Sequence, residues 1–282
     1  MQMMHTYQNG QLLPREAAVV EEHPLQVRVN NRELATLVAS NHELRFLVAG
    51  FLRLQGFVEQ VEDFHLLAVC EEFGVANVLI RGELPEGLRP VLTSGCGTGI
   101  TFSLEQPAPV ASAAHAVIAP EAVFRLMEEL AARADQYRNH GGIHSAAVGG
   151  LDGALSLYAE DIGRHNTLDR IAGEALFRRQ ELSGMLLATS GRISAEMAIK
   201  GARLGVACIA SRTSPTALAV EICRTAGITL IGYVRGGRFN VYSGAERVRP
   251  LPEALGETAA ARLPLVGPGR ADQPGSQHIQ AA

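Results

Sequence analysis

Residues 185–234 read MLLATSGRISAEMAIKGARLGVACIASRTSPTALAVEICRTAGITLIGYV, and this stretch decides the fold. Three apolar runs within it, 185–189, 206–210 and 228–234, lack the alternation of a half-exposed strand, which is typical of strands buried on both faces. Segments of helical length and periodicity separate the three runs. This alternation of strand and helix predicts an α/β fold, with a mostly parallel sheet that helices cover on both faces.

A smaller group of elements precedes this stretch. The predicted elements are a hairpin over 25–29 and 34–38, a helix from a Ser40-Asn41 cap to about Gly56, and strands over 65–70 and 75–80. Helices and short strands mixed in this way indicate an N-terminal α+β module over residues 17–106 that ends in a cysteine loop. An α/β domain over residues 107–262 is expected to follow it.

Further elements surround the central stretch. They are a helix opened by Pro120 and ended by Gly141-Gly142, a hairpin joining 146–148 to 155–158, a helix over 168–176, and an antiparallel strand over 239–242 reached through Gly236-Gly237. Ser194 and Ser214 are expected to begin the two helices of the central stretch. Residues 1–16 are expected to be a disordered terminus because their composition is mixed and polar. Residues 263–282 are expected to be disordered because they are rich in Pro, Gly and Gln.

The composition excludes several classes of partner. The 282 residues have a formal net charge of -4 and no basic stripe, whereas nucleic-acid binding requires clustered Lys and Arg. No apolar run reaches membrane-spanning length, and the N-terminus lacks the charged and apolar regions of a signal peptide. We therefore expect a cytoplasmic protein that binds neither nucleic acid nor membrane.

One of the four cysteines has an unusual setting. Cys96 lies in LTSGCGTG, residues 92–99, where three glycines within five residues leave few side chains to pack. Such a loop either displays its thiol or is a flexible connector, and the loop alone does not separate these interpretations. Cys70, Cys208 and Cys223 lie in apolar runs and are expected to be buried. No Cys-x-x-Cys pair and no zinc-ligand spacing occur, so no metal site is predicted.

Polar turns follow the three central strands. They are Ser190-Gly191-Arg192, Ser211-Arg212-Thr213-Ser214 and Arg235-Gly236-Gly237-Arg238. Because the carboxyl ends of parallel strands meet at one edge of a sheet, the turns are expected to converge. Helix capping and solvated arginines explain any one turn, but the repetition favours a ligand. Guanidinium groups pair bidentately with phosphate, so the set predicts a site for a phosphorylated or pyrophosphate ligand.

Residues 160–166, EDIGRHN, combine two acids, an arginine and a histidine directly before a predicted helix. Such a density of charged side chains is unusual for a plain connector. Asp161, Arg164 and His165 are therefore expected to contact a ligand or to hold Cys96 ionised.

Several blocks of this sequence resemble the formate dehydrogenase accessory sulfurtransferase family. The blocks are GIHSAA at 142–147, DIGRHN at 161–166, SGRIS at 190–194, SPTALA at 214–219 and GYVRGGRFNVY at 232–242. Fainter matches in the N-terminal third extend the resemblance to about residues 22–248, and its C-terminal half is specific.

The resemblance implies a fold, a function and its partners. Members of that family are homodimers with a layered α/β fold similar to that of cytidine deaminases, without the zinc. They take sulfur from a cysteine desulfurase as a cysteine persulfide and pass it to the molybdenum (or tungsten) bis-molybdopterin guanine dinucleotide cofactor of the formate dehydrogenase catalytic subunit. The persulfide cysteine corresponds to Cys96, and GDP is expected to occupy the cofactor site. The expected cofactor contacts are Tyr233, Val234, Arg235, Gly236, Gly237, Arg238, Arg192, Ser211, His165 and Arg164.

The cysteine loop departs from the family pattern at Gly99, where the family has a second cysteine. Transfer through one persulfide needs only the Cys96 thiolate and an acceptor, whereas release by an internal disulfide is excluded. Three functions stay open. The first is a sulfurtransferase-like sulfur carrier, and the second is a divergent chaperone that binds the cofactor without transferring sulfur. The third is a zinc-dependent deaminase. The sequence argues against it, because it lacks the His-x-Glu and Pro-Cys-x-x-Cys signatures.

Overall fold

Two hydrophobic cores, each built on its own β-sheet, organise this chain. The computed structural model describes residues 1–88, 91–92, 100–101, 109–110 and 116–250. The strands are β1 (Gln2–Gln8), β2 (Gln11–Ala17), β3 (His23–Val29), β4 (Arg32–Ala39), β5 (Phe64–Cys70), β6 (Val75–Ile80), β7 (Val91–Leu92), β8 (Ile100–Thr101), β9 (His144–Gly149), β10 (Leu155–Asp161), β11 (Leu186–Thr189), β12 (Cys208–Ser211), β13 (Thr229–Arg235) and β14 (Arg238–Ser243). The helices are α1 (Leu44–Leu54), α2 (Pro120–Arg133), α3 (Asp135–His140), α4 (Arg164–Phe177), α5 (Ala195–Arg203) and α6 (Ala217–Ala226). Within the described ranges, no helix is long and apolar enough to cross a membrane.

The six-stranded sheet has the order β10-β9-β11-β12-β13-β14. β11, β12 and β13 are parallel as predicted, because α5 and α6 provide the crossovers between them. The other pairings are antiparallel, so the sheet is mixed and not mostly parallel. The β9–β10 hairpin and the antiparallel strand β14 are as predicted, because each pair is joined by a turn too short for a crossover. The antiparallel pairing of β9 with β11 was not predicted. β11 and β12 are buried along their whole length, as strands covered on both faces of a layered α/β fold must be.

The smaller sheet has the order β4-β3-β6-β5 and packs against α1. Its hairpin, helix and two further strands confirm the predicted elements, and their inward residues form the second core. The predicted cap of α1 is wrong. Glu43 occupies that position in a left-handed conformation with φ 44° and makes no side-chain cap hydrogen bond. Similarly, Thr216 rather than Ser214 caps α6, whereas Ser194 caps α5 as predicted.

Helix α4 is buried around almost its whole surface and links the two cores. Its crossing with α1 brings the two backbones into contact. A Cβ atom added to Gly173 would lie 1.9 Å from the carbonyl oxygen of Phe46, and one added to Gly50 would lie 1.7 Å from that of Asp169. The crossing therefore has room for hydrogen atoms but not for a methyl group at either glycine.

The N-terminal segment differs from the expectation of a disordered lead-in. Residues 2–17 form the antiparallel hairpin β1–β2, whose side chains are almost all exposed. Its turn is Asn9-Gly10, with φ 52° and 83°. This dipeptide favours tight hairpin turns, so the sequence did contain a signal for the hairpin. The predicted domain boundaries near 106 and 262, and the predicted tail 263–282, lie outside the described residues.

Candidate functional site

A cavity of about 560 Å³ opens at the carboxyl ends of β11, β12 and β13. Ser190, Arg212, Thr213 and Arg235 line it, so each of the three predicted turns contributes. The rest of the lining is Leu130, Ala131, Ala134, Tyr137, Arg138, Ile143, His144 and Ser145. The described lining thus contains three arginines and no carboxylate, and its polar wall is positively charged.

Two of these arginines are available to a ligand. Arg212 and Arg235 are exposed, and neither guanidinium makes a hydrogen bond or an ion pair with a described residue. Arg138 is committed to its own segment, because it donates to the carbonyl oxygen of Ala131 at 2.7 Å and pairs with Asp135. A phosphate in this cavity would therefore be held by the guanidinium groups from the ends of β12 and β13.

Ser211 and Arg192, both expected to contact the cofactor, occupy different positions. Ser211 is fully buried, and its hydroxyl donates to the carbonyl oxygen of Gly191 at 2.7 Å while accepting from the Thr213 N–H at 3.0 Å. The hydrogen bond to Gly191 joins the turn after β12 to the turn after β11, so Ser211 stabilises the cavity wall without lining the cavity itself. Arg192 is exposed and is not among the residues that line this cavity.

The tip of the β13–β14 hairpin forms a second exposed depression. Tyr233, Arg235, Arg238 and Asn240 line its volume of about 330 Å³. Tyr233 has φ 56°, which is rare for a bulky residue, and the register of the hairpin shifts at this point. The Arg235 guanidinium lies 5.6 Å from the centre of the Tyr233 ring. Val234 is only 2% exposed and belongs to the core, so it supports the tip from inside.

His144 faces the arginine cavity from the start of β9, a position to which the sequence assigned no role. Its Nδ1 lies 3.5 Å from the Ser190 hydroxyl, which accepts a hydrogen bond from the Ser145 N–H at 3.0 Å. Burial, and after it the positive charge of Arg164, lowers the pKa of His144. A neutral imidazole therefore lines the cavity at neutral pH. The signal in the sequence was the GGIH segment before β9.

Asp161 does not take the ligand role that its charged segment suggested. It is fully buried, and its carboxylate accepts hydrogen bonds from the Ser40 N–H at 3.2 Å and from Arg170 Nε at 2.8 Å. Ser40 belongs to the smaller module and Arg170 to α4. Asp161 therefore joins the two cores, and its oxygen atoms have no capacity left for a ligand.

Arg164 and His165 are also buried at the start of α4. The His165 Nε2 atom lies 3.2 Å from the Ser194 hydroxyl and 3.4 Å from Glu196 Oε2. Burial, followed by the charges of Lys200 and Arg164, lowers the pKa of His165 to about 2. This imidazole is therefore neutral at neutral pH. Because Cys96 lies outside the described residues, a contact between His165 and the thiol stays a prediction.

A buried ionic cluster lies beneath His165. Lys200 Nζ contacts both carboxylate oxygens of Asp169, at 2.9 and 2.8 Å, and lies 3.4 Å from Glu196. Burial opposes the charge of Lys200, but the two carboxylates outweigh it and raise its pKa. The sequence did not reveal this cluster, because its members come from α4 and α5 and only the fold brings them together.

The cysteines partly match the expectation. Cys208 and Cys223 are buried, and burial raises the pKa of both thiols, that of Cys223 to about 12. Cys70 is exposed, so the prediction that it is buried is wrong. It ends the edge strand β5 on the face turned away from the core. Cys96 lies outside the described residues, between β7 and β8, whose residues Leu92 and Ile100 pair.

A family model described as the FdhD/NarQ family matches residues 20–249. Two curated proteins named "Sulfur carrier protein FdhD", from Staphylococcus haemolyticus and Bacillus subtilis, are each 34% identical over 249 residues. These alignments cover 86% of this chain, and 94% and 95% of the two relatives. The crystal structure of a formate dehydrogenase accessory protein from Desulfotalea psychrophila matches with a TM-score of 0.72 and 27% identity, covering 88% of this chain and 98% of that one.

Proposed function

The chain belongs to the FdhD/NarQ family, and from that premise we propose that it is a sulfur carrier for formate dehydrogenase that holds its sulfur as a persulfide on Cys96. A cysteine desulfurase supplies the sulfur. The sulfur passes to the molybdenum bis-molybdopterin guanine dinucleotide cofactor of formate dehydrogenase, which this chain binds as its cargo. The observation that supports this proposal best is the cavity with Arg212 and Arg235 at the strand ends, because the cargo contains pyrophosphate groups.

The sulfur transfer needs only one thiol. The Cys96 thiolate attacks the outer sulfur of the desulfurase persulfide, a new S–S bond forms, and the desulfurase cysteine leaves as a thiolate. At delivery a reduced metal centre in the acceptor takes the outer sulfur as sulfide and supplies the two electrons that break the S–S bond. Cys96 is then a thiolate again. Gly99 does not interrupt this route, because no step passes through a disulfide within the loop.

The arginine cavity and the hairpin tip would bind different parts of the cargo. Arg212 and Arg235 would pair with phosphate oxygens, and Ser190 would donate its hydroxyl hydrogen to one of them. Tyr233 presents an exposed ring beside Arg235, suited to stacking on a flat group. Its left-handed backbone is the kind of strain that persists where a side chain must be aimed at a ligand.

Sulfur loading tests the transfer chemistry. After incubation with a cysteine desulfurase and cysteine, we expect the wild-type chain to gain the mass of one sulfur atom on Cys96, and the Cys96→Ala variant to gain none. The matched control is Cys70→Ala, which removes the exposed thiol of β5 and should load like wild type. Sulfur found on Cys70, or no sulfur on Cys96 in the wild type, contradicts the proposal.

A chaperone that holds the cofactor without transferring sulfur is the second candidate, and Gly99 in place of a loop cysteine favours it. Maturation of formate dehydrogenase in cells separates the two functions. A pure chaperone still supports maturation as Cys96→Ala, whereas a sulfur carrier does not.

Ligand affinity tests the role of the arginine turns. Arg235→Ala is expected to weaken pyrophosphate binding by about tenfold or more, because one charge-assisted hydrogen bond contributes about 1.5–3 kcal/mol. Isothermal titration calorimetry measures this. The control is Arg28→Ala, which removes an exposed guanidinium from β3 of the smaller sheet and should bind like wild type. Equal affinity of all three proteins would remove Arg235 from the site.

A further inference from the structure

The β1–β2 hairpin belongs to neither of the sheets that carry the two cores. It comprises residues 2–17, and these precede residues 20–249, which the family model matches. Among the described strands, β1 and β2 pair only with each other. A two-stranded hairpin on its own is marginally stable in water, and three or more strands with an apolar face are needed for independent stability. Any further strand that pairs with this hairpin therefore stabilises it.

One face of the hairpin is apolar and exposed. The register pairs Tyr7 with Leu12, and Met3 lies on the same face because it is four positions from Tyr7 along β1. The side chains of Met3, Tyr7 and Leu12 are 65, 72 and 66% exposed. Large apolar side chains grouped on one exposed face are typical of an interaction surface.

The backbone groups that point away from the hairpin follow from its register. Gln8 and Gln11 flank the two-residue turn and form a hydrogen-bonded pair, and such pairs alternate with open pairs along an antiparallel ribbon. The residues of the open pairs direct their backbone N–H and carbonyl groups outward. They are Met3, His5 and Tyr7 on β1, and Leu12, Pro14 and Glu16 on β2.

The two edges of the hairpin differ in what they offer to another strand. On β2, Pro14 occupies an outward position without an N–H, and Arg15 and Glu16 place charges next to it. Proline and charged side chains at an edge oppose pairing with a further strand. β1 has the sequence QMMHTYQ, with no Pro, Asp, Glu, Lys or Arg. The edge formed by β1 is therefore the one open to pairing.

We propose that β1 pairs in antiparallel fashion with β1 of a second copy of this chain, across a two-fold axis beside His5. The outward groups of His5 then bond to those of the partner's His5, and the outward groups of Met3 bond to those of the partner's Tyr7. Two hairpins become one four-stranded sheet, in which the partner's Met3 extends the apolar pair of Tyr7 and Leu12.

The sequence of β1 is self-complementary in this register. Met3 and Tyr7 lie two positions before and after His5, so the pairing is the same from either copy, as a two-fold interface requires. No acidic or basic side chain of β1 meets a like charge across the axis. The inference is independent of the proposed function, because the hairpin contributes no residue to the described lining of the arginine cavity.

Disulfide cross-linking tests the pairing directly. Opposite residues of a hydrogen-bonded antiparallel pair have Cα atoms about 5.5 Å apart, a separation that a disulfide spans. In a full chain with Cys70→Ala and Cys96→Ala, we expect His5→Cys to form a covalent dimer in a glutathione redox buffer. Non-reducing electrophoresis measures it.

Gln8→Cys in the same background is the matched control for His5→Cys. Gln8 is exposed on the same strand, but in the proposed register the two copies of this position lie about 20 Å apart, since a strand rises about 3.4 Å per residue. His5→Cys is expected to give about tenfold more linked dimer than Gln8→Cys.

Hydrogen exchange provides a second measurement on the full chain. In His5→Pro the edge is blocked as Pro14 blocks β2, while the hydrogen bonds within the hairpin stay intact, because the N–H of His5 points outward. His5→Ala keeps that N–H and is the control. The amides of Met3 and Tyr7 should exchange slowly in the wild type and in His5→Ala, and about tenfold faster in His5→Pro.

Three results would overturn the pairing of two copies. The first is a His5→Cys chain that forms no more linked dimer than Gln8→Cys. The second is exchange at Met3 and Tyr7 that is as fast in the wild type as in His5→Pro. The third is slow exchange in the wild type without cross-linking of His5→Cys, which would show that a strand other than the second copy covers this edge.

Discussion

Asp161→Ala is expected to lower the free energy of unfolding by about 3–5 kcal/mol, because it leaves a buried guanidinium without its counter-ion. Oδ1 of Asp161 accepts from the Gly163 N–H and from Asn166 Nδ2, both at 2.8 Å. Oδ2 accepts from the Ser40 N–H at 3.2 Å and from Arg170 at 2.8 and 2.5 Å. Arg170 is 2% exposed, so water cannot replace the lost carboxylate.

Urea unfolding followed by circular dichroism measures this loss. The matched control is Asp152→Ala, which removes an aspartate that accepts one hydrogen bond, from the Ala154 N–H at 3.0 Å, in an exposed turn. That variant is expected to lose less than about 1 kcal/mol. If Asp161→Ala is no less stable than this control, the carboxylate does not hold the two cores together, and a ligand role for Asp161 becomes the better explanation.

Gly173→Ala is the second change with a large expected effect, a loss of about 3 kcal/mol or more. The added methyl group would meet the Phe46 carbonyl oxygen at 1.9 Å and the Gly50 N at 2.9 Å. Both are backbone atoms of α1, so no side-chain rotation relieves the clash and the two helices must move apart. Gly50→Ala is expected to act in the same way from the other helix.

Thermal and urea unfolding of Gly173→Ala should show a lower midpoint than wild type. Gly82→Ala is the control, because a Cβ atom at Gly82 meets nothing within 4 Å. The expected order of stability is wild type close to Gly82→Ala, with Gly173→Ala well below both. Equal stability of the two alanine variants would show that the helix crossing adapts to the methyl group, against the close contact described above.

Local pattern was sufficient to predict most of the elements in this chain. The apolar runs around 185–234 indicated three strands because burial on both faces removes polar alternation, and this feature is visible within a few residues. The turns after these strands were likewise predictable, since parallel strands end at one edge. The positions of the helix caps were harder to predict. Ser40 resembles a helix cap, but its N–H and hydroxyl form hydrogen bonds with residues 161–162.

By itself, then, the sequence determined the three parallel strands, their connecting helices and the arginine turns that follow them, because each depends on neighbours a few residues away. Only the tertiary structure decided what the buried polar residues do. Asp161 and Ser40 are 121 positions apart, and their contact exists only because α1 and α4 cross at two glycines. The same holds for the arginine cavity. Tyr137, Arg212 and Arg235 come from distant parts of the chain, and the packing of the elements between them places all three around one cavity.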